Sequence, residues 1–176
     1  MNLPNKLTVL RMVMIPFFVL FMYLTFPQAR YIALAIFVAA SLTDTADGYI
    51  ARKYNLVTDF GKFMDPLADK LLVCAAMICL IRTGELPAWV VIIIIAREFI
   101  ISGFRLVAAD NGIVIAASWW GKTKTVCQMA MIIVILLDLE VLRPLEPVLI
   151  AAATILTVVS LVDYIQKNRQ VLASEK

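Results

Sequence analysis

The chain has 176 residues, 62% of them hydrophobic and 16% charged, with a net charge of +3. A soluble domain is about 45–50% apolar and about 25% charged, so composition argues for a membrane protein and against a water-soluble bundle. Histidine is absent, which removes the usual general base, the serine triads and the zinc–histidine sites, and no basic run is long enough to suit nucleic acid.

The apolar runs approach the roughly 20 residues that a membrane span requires. Asn2-Leu3-Pro4-Asn5-Lys6-Leu7-Thr8 opens the chain with a helix-start signal and predicts a short interfacial segment. Lys6 and Arg11 ahead of an apolar stretch imitate a signal peptide, but no small-x-small cleavage site follows. Residues 9–26 therefore read as an uncleaved first span, with a tolerated kink at Pro16. The second span starts near Tyr31 and continues through an acid-rich stretch to Arg52. Residues 53–63 read as a polar, basic loop holding Gly61, and the third span as starting near Asp65, with Pro66 in its first turn, and ending at Ile81.

The fourth span, from Pro87 to about Asn111, carries Arg97, Glu98 and Arg105 in its interior. Charged groups there cost several kcal/mol each unless paired or hydrated. Arg97 and Arg105 are eight apart, about two turns, and face one way. The alternative to anion binding is an internal ion pair of Arg97 with Glu98, Asp110 or another acid; adjacent helical residues do not face each other, so Glu98 is not expected to be a simple partner. Residues 113–120 are too short to span and read as a loop or interfacial helix. The fifth span runs from about Lys122 to Leu137. A polar turn follows at 138–146, and the sixth span covers 147–164. Trp89, Trp119 and Trp120 suit the interfacial belt. Cys74, Cys79 and Cys127 lie in apolar segments without metal-ligand spacing and read as small buried hydrophobes.

The expected fold is thus all-α, with six transmembrane helices, a short N-terminal interfacial segment and one membrane-embedded domain over 1–176. All of the 16 lysines and arginines except Arg30, Arg82 and Arg143 fall in the N-terminus, the 2–3 connection, the 4–5 region or the tail. The positive-inside rule then places both termini, the acids and the basic set on the cytoplasmic side.

Four carboxylates concentrate the chemistry. Asp44 and Asp47 are three apart and share one helix face; Asp65 and Asp69 are four apart and share another. If the two helices pack side by side, the four converge, and they cannot all stay ionised without a cation. An all-oxygen set selects hard divalent ions such as Mg²⁺, Mn²⁺ or Ca²⁺. Gly48 leaves room for a close approach to the backbone, and Arg52 offers a planar fork for phosphate. Two ions on four carboxylates can clamp a diphosphate. Asp69, last in the series, is the candidate base for an attacking hydroxyl. Arg97, Arg105, Lys122 and Lys124 are candidates for a second anion, such as a phosphate on that alcohol. A divalent-cation transporter is the rival reading, but an ion path needs neither Gly48 nor Arg52.

The pattern Asp44-x₂-Asp47-Gly48-x₂-Ala51-Arg52-x₈-Gly61-x₃-Asp65-x₃-Asp69 resembles the signature of the CDP-alcohol phosphotransferases at all eight fixed positions. Within that family, residues 2–11, Ile95-Ala96-Arg97-Glu98 and Ser118–Thr125 resemble the bacterial branch that forms phosphatidylglycerophosphate. The resemblance implies transfer of a phosphatidyl group from CDP-diacylglycerol to sn-glycerol 3-phosphate, with release of CMP. Another acceptor, such as inositol phosphate, is the alternative within the family. It implies two divalent cations, Mg²⁺ or Mn²⁺, on Asp44, Asp47, Asp65 and Asp69, with Asp69 doubling as the base. It assigns the CDP-lipid to Asp47, Gly48, Ala51, Arg52 and Gly61. Asn5, Thr8 and Arg11 are further candidates for the nucleotide or headgroup side, the alternative being that they seat the N-terminal helix at the interface. The resemblance also implies a homodimer in the cytoplasmic membrane of a bacterium.

Overall fold

The computed structural model describes the backbone of residues 3–53, 59–110, 115 and 118–169, and their side chains except at 3–4, 44–53, 59–63, 65–66 and 110. Six α-helices account for nearly all of it: α1 (Leu3–Tyr23), α2 (Ala29–Lys53), α3 (Asp59–Arg82), α4 (Ala88–Asp110), α5 (Trp119–Leu137) and α6 (Glu146–Lys167). A 3-10 helix, Glu140–Leu145, leads into α6, and the described residues contain no strand. Among them, Asn5–Tyr23, Trp119–Leu137 and Glu140–Lys167 are long and apolar enough to cross a membrane. The architecture is that of an all-α membrane protein.

The chain divides into two compact units, Met1–Gly84 and Glu85–Lys176. In the first, α1 packs along both α2 and α3. The seam of α1 consists of Thr8, Arg11, Ile15, Phe18 and Met22, all buried. That spacing of three and four is the inward face of a helix. Opposite it, α2 buries Ala29, Ala33, Phe37 and Ala40, whose small side chains let the two backbones approach closely. Phe18 meets Phe37 with ring centroids 5.9 Å apart. In α3 the buried row is Ala68, Leu72, Ala76 and Cys79. Phe17, Leu20, Leu67 and Leu71 are exposed, as lipid-facing positions should be.

Arg82 ties the C-terminal ends of α1 and α3 together. Its Nη1 donates to the Met22 carbonyl at 3.2 Å, and its guanidinium lies 3.9 Å from the Tyr23 ring centroid. α1 and α3 therefore run parallel. Gly84, at φ 80°, takes the left-handed conformation that ends α3 and donates its N–H to Ile81.

In the second unit, α6 packs against both α4 and α5. Its buried row is Ala153, Thr157, Ser160 and Tyr164, again mostly small. α4 buries Val90, Ile94, Arg97, Ile101 and Ala108. α5 buries Lys124, Gln128, Met131, Ile132, Ile135 and Leu136, polar at its start and apolar at its end. Ser118 caps α5, its Oγ accepting from the Gly121 N–H at 3.1 Å. Asp138, at φ 48°, ends the helix.

Four boundaries differ from expectation. α1 is continuous from Leu3, so among the described residues the expected N-terminal segment and first span form one helix. α3 starts at Asp59, six residues early, which places Gly61 in a helix and Pro66 beyond the first turn. A proline there removes one backbone donor, and neighbouring helices in a membrane make that tolerable. α5 starts at Trp119, because the Ser118 cap initiates the helix ahead of Lys122. The 138–146 turn contains one short 3-10 helix. Within the expected 113–120 loop, residues 113, 114, 116 and 117 lie outside the described set.

Candidate active site

The buried rows of the first unit point toward the acids by helical register. In α2 the row 29, 33, 37, 40 continues through positions 44, 47 and 51 of the same helix. In α3 the row 68, 72, 76 extends backward to 65 and 61. Five of the eight signature positions, 44, 47, 51, 61 and 65, thus continue these two rows by register. α2 returns antiparallel to α1, and α3 runs parallel to it. The N-terminal ends of α1 and α3 and the C-terminal end of α2 therefore share one end of this unit.

Thr8 and Arg11 are fully buried at that end, and Asn5 and Asp69 are half-buried there. The side chains of Asp44, Asp47, Gly48, Ala51, Arg52, Gly61 and Asp65 lie outside the described set, and so does any contact among the four carboxylates. No cluster able to hold a metal occurs among the described residues, a set that contains only Asp69 of the four acids. The donor chemistry fits hard divalent cations: two carboxylate pairs, at spacings of three and four on two helices, all oxygen.

In the second unit the structure brings together two of the four expected basic residues. Arg97 is 8% exposed and Lys124 is 2% exposed. Glu98 joins them: its Oε1 accepts from Arg97 Nη1 at 3.0 Å and from Lys124 Nζ at 2.5 Å. The expectation that Glu98 would not partner Arg97 is therefore overturned. Their Cβ directions diverge, but both side chains are long enough to bend toward the same point beside α5. The contact is the internal ion pair that the sequence offered as the alternative for Arg97, though not the bridge from Glu98 to Lys124. The signal was present, since an acid inside an apolar span calls for a cationic partner.

Arg97 is held on further sides. Its Nε donates to Ser160 Oγ at 3.1 Å, and Ser160 in turn donates to the Thr157 carbonyl at 2.9 Å. A Cβ at Gly121 would stand 3.2 Å from Arg97 Nη2, so the glycine admits the guanidinium against the first turn of α5. Arg105 is exposed, its guanidinium carbon 5.9 Å from the ring centroid of Tyr164, one turn beyond Ser160 on α6. Arg97 and Arg105 thus both lie toward α6, as their spacing predicts. Lys122 is exposed and is not gathered into the buried cluster.

The chain thus joins a helix-borne carboxylate signature and a buried Arg97–Glu98–Lys124 cluster on an all-α membrane scaffold. The family model for CDP-alcohol phosphatidyltransferase matches residues 1–159, and the chain belongs to that family. A Bacillus subtilis (strain 168) protein named CDP-diacylglycerol–glycerol-3-phosphate 3-phosphatidyltransferase is 44% identical, the match covering 97% of each chain. A Haemophilus influenzae protein of the same name is 40% identical over 94% of this chain and 92% of its own. A Mycobacterium tuberculosis (strain CDC 1551 / Oshkosh) protein named probable phosphatidylglycerophosphate synthase is 44% identical over 94% of this chain and 81% of its own.

Proposed function

We propose that this chain transfers the phosphatidyl group of CDP-diacylglycerol to sn-glycerol 3-phosphate, forming phosphatidylglycerophosphate and CMP. The observation that carries the reading is agreement along nearly the whole chain with relatives named for that reaction. The family match runs through both compact units, so the activity is assigned to residues 1–176 as one catalytic domain.

Asp44, Asp47, Asp65 and Asp69 would hold two divalent cations, Mg²⁺ or Mn²⁺. When bound, these neutralise the diphosphate and stabilise charge on the departing CMP. Asp69 accepts the proton of the glycerol hydroxyl as its oxygen attacks the lipid-side phosphorus. The phosphorus–oxygen bond to CMP breaks, and CMP leaves with the bonding electron pair. Asp47, Gly48, Ala51, Arg52 and Gly61 receive the CDP-lipid, with Gly48 and Ala51 leaving space for the nucleotide. Asn5 and Thr8 are assigned to the same group, supported by their place at the acid-bearing end of the first unit.

The acceptor's phosphate is assigned to Arg97 and Lys124, with Arg105 and Lys122 as outer contacts. Support comes from the burial of the first two as charged groups and the exposure of the others. A planar guanidinium and an ammonium suit a phosphate better than a neutral alcohol. The chain is placed in the inner membrane of a bacterium, with the active end and both termini cytoplasmic, and it works as a homodimer. The mass of the detergent-solubilised particle tests the last point; a monomer that turns over at full rate contradicts it.

Labelled glycerol 3-phosphate supplied with CDP-diacylglycerol and Mg²⁺ tests the reaction. The label should enter the lipid phase with one CMP released per lipid formed. CMP release without incorporation would contradict transfer to this acceptor.

A further inference from the structure

We propose that Glu98 is a positioning residue that sets where the cationic groups of Arg97 and Lys124 stand, and through them the affinity for the acceptor's phosphate. The proposal rests on the assignment of those two residues to that phosphate. One oxygen of Glu98 receives both donors, which fixes the spacing between an α4 guanidinium and an α5 ammonium. Arg97 also donates to Ser160 on α6, and its Nη2 lies 3.2 Å from where a Cβ at Gly121 would stand. Lys124 carries a compact charge on a flexible four-carbon stem with many rotamers. The shared carboxylate is one of the contacts that hold it. A carboxylate beside an anion site also weakens the attraction for the anion. Its presence between the two cations is explained if fixed geometry outweighs that loss.

The two effects predict opposite signs, which makes the proposal testable. Under the positioning role, Glu98→Gln raises the KM for glycerol 3-phosphate by about tenfold, the lower range for a charge-assisted hydrogen bond. The KM for CDP-diacylglycerol stays within about twofold, because a purely structural defect would not single out one substrate. Adding Lys124→Gln to Glu98→Gln should produce no further rise over Lys124→Gln alone, as expected of residues that act as a unit. Glu98→Asp keeps the charge with a shorter reach. It should give a smaller, still acceptor-selective rise, and it serves where the glutamine variant does not fold.

An unchanged or lowered acceptor KM in the Glu98 variants overturns the positioning role. If Lys124→Gln raises the acceptor KM selectively while the Glu98 variants do not, only this proposal fails. If Lys124→Gln and Arg97→Gln both leave it unchanged, the phosphate assignment fails and takes the positioning role with it.

Discussion

Asp69 is half-buried on α3, beside the fully buried Ala68 and one turn from Leu72. Such a carboxylate can serve as metal ligand and proton acceptor together. Substitution by asparagine keeps the size and one ligating oxygen but removes the basic site. Asp69→Asn is expected to bind Mn²⁺ more weakly but measurably, while turnover falls about 10²- to 10⁴-fold. Manganese titration beside initial-rate measurement checks this, and substantial retained turnover would remove Asp69 from the role of base. Candidate roles could be assigned from the sequence where charge stood in a fixed pattern, as at Asp44 to Asp69, whose mutual contacts lie outside the described set. They were less legible for Glu98, since helical spacing describes where Cβ atoms point and not where long side chains end. Lys122 and Lys124 show the converse. They are two apart, and only the packing of α5 shows that one is buried and the other exposed.

At the scale of elements, helices are joined by rows of small residues against larger ones. Ala29, Ala33 and Ala40 on α2 are buried at 0–1% exposure, which lets α1 approach. Ala33→Leu inserts a bulky side chain into this seam and should destabilise the intact protein by about 1–3 kcal/mol. A lowered melting temperature in detergent checks the expectation; an unchanged one would show that α1 and α2 do not pack here. All six helices were legible, because each arises from an apolar run with charged or turn residues at its ends. Their starts were less so. The Asp65-Pro66 pair resembles a first turn, yet α3 begins at Asp59. At α5 the cap is a serine before two tryptophans, a short signal that the neighbouring lysines obscured.

For the molecule as a whole, the proposed orientation rests on charge distribution. The connection after α5 holds Asp138, Glu140 and Arg143, with Arg143 within 3.5 Å of Asp138. The positive-inside rule assigns it to the outer side of the membrane. A cysteine introduced at Glu140, in a background with the native cysteines replaced, should label from outside intact cells. One introduced at Lys6 should label only after permeabilisation, and the reverse pattern would invert the orientation.

The central claim is tested most directly by CMP release from the purified protein with CDP-diacylglycerol and Mg²⁺. Glycerol 3-phosphate, inositol 1-phosphate and serine would be compared as acceptors at equal concentration. The account predicts turnover selective for glycerol 3-phosphate, because the chain agrees along nearly its whole length with relatives named for that acceptor; the cationic pair assigned to phosphate separates it only from serine. Selective turnover with another acceptor, or no CMP from folded, metal-loaded protein, would contradict it.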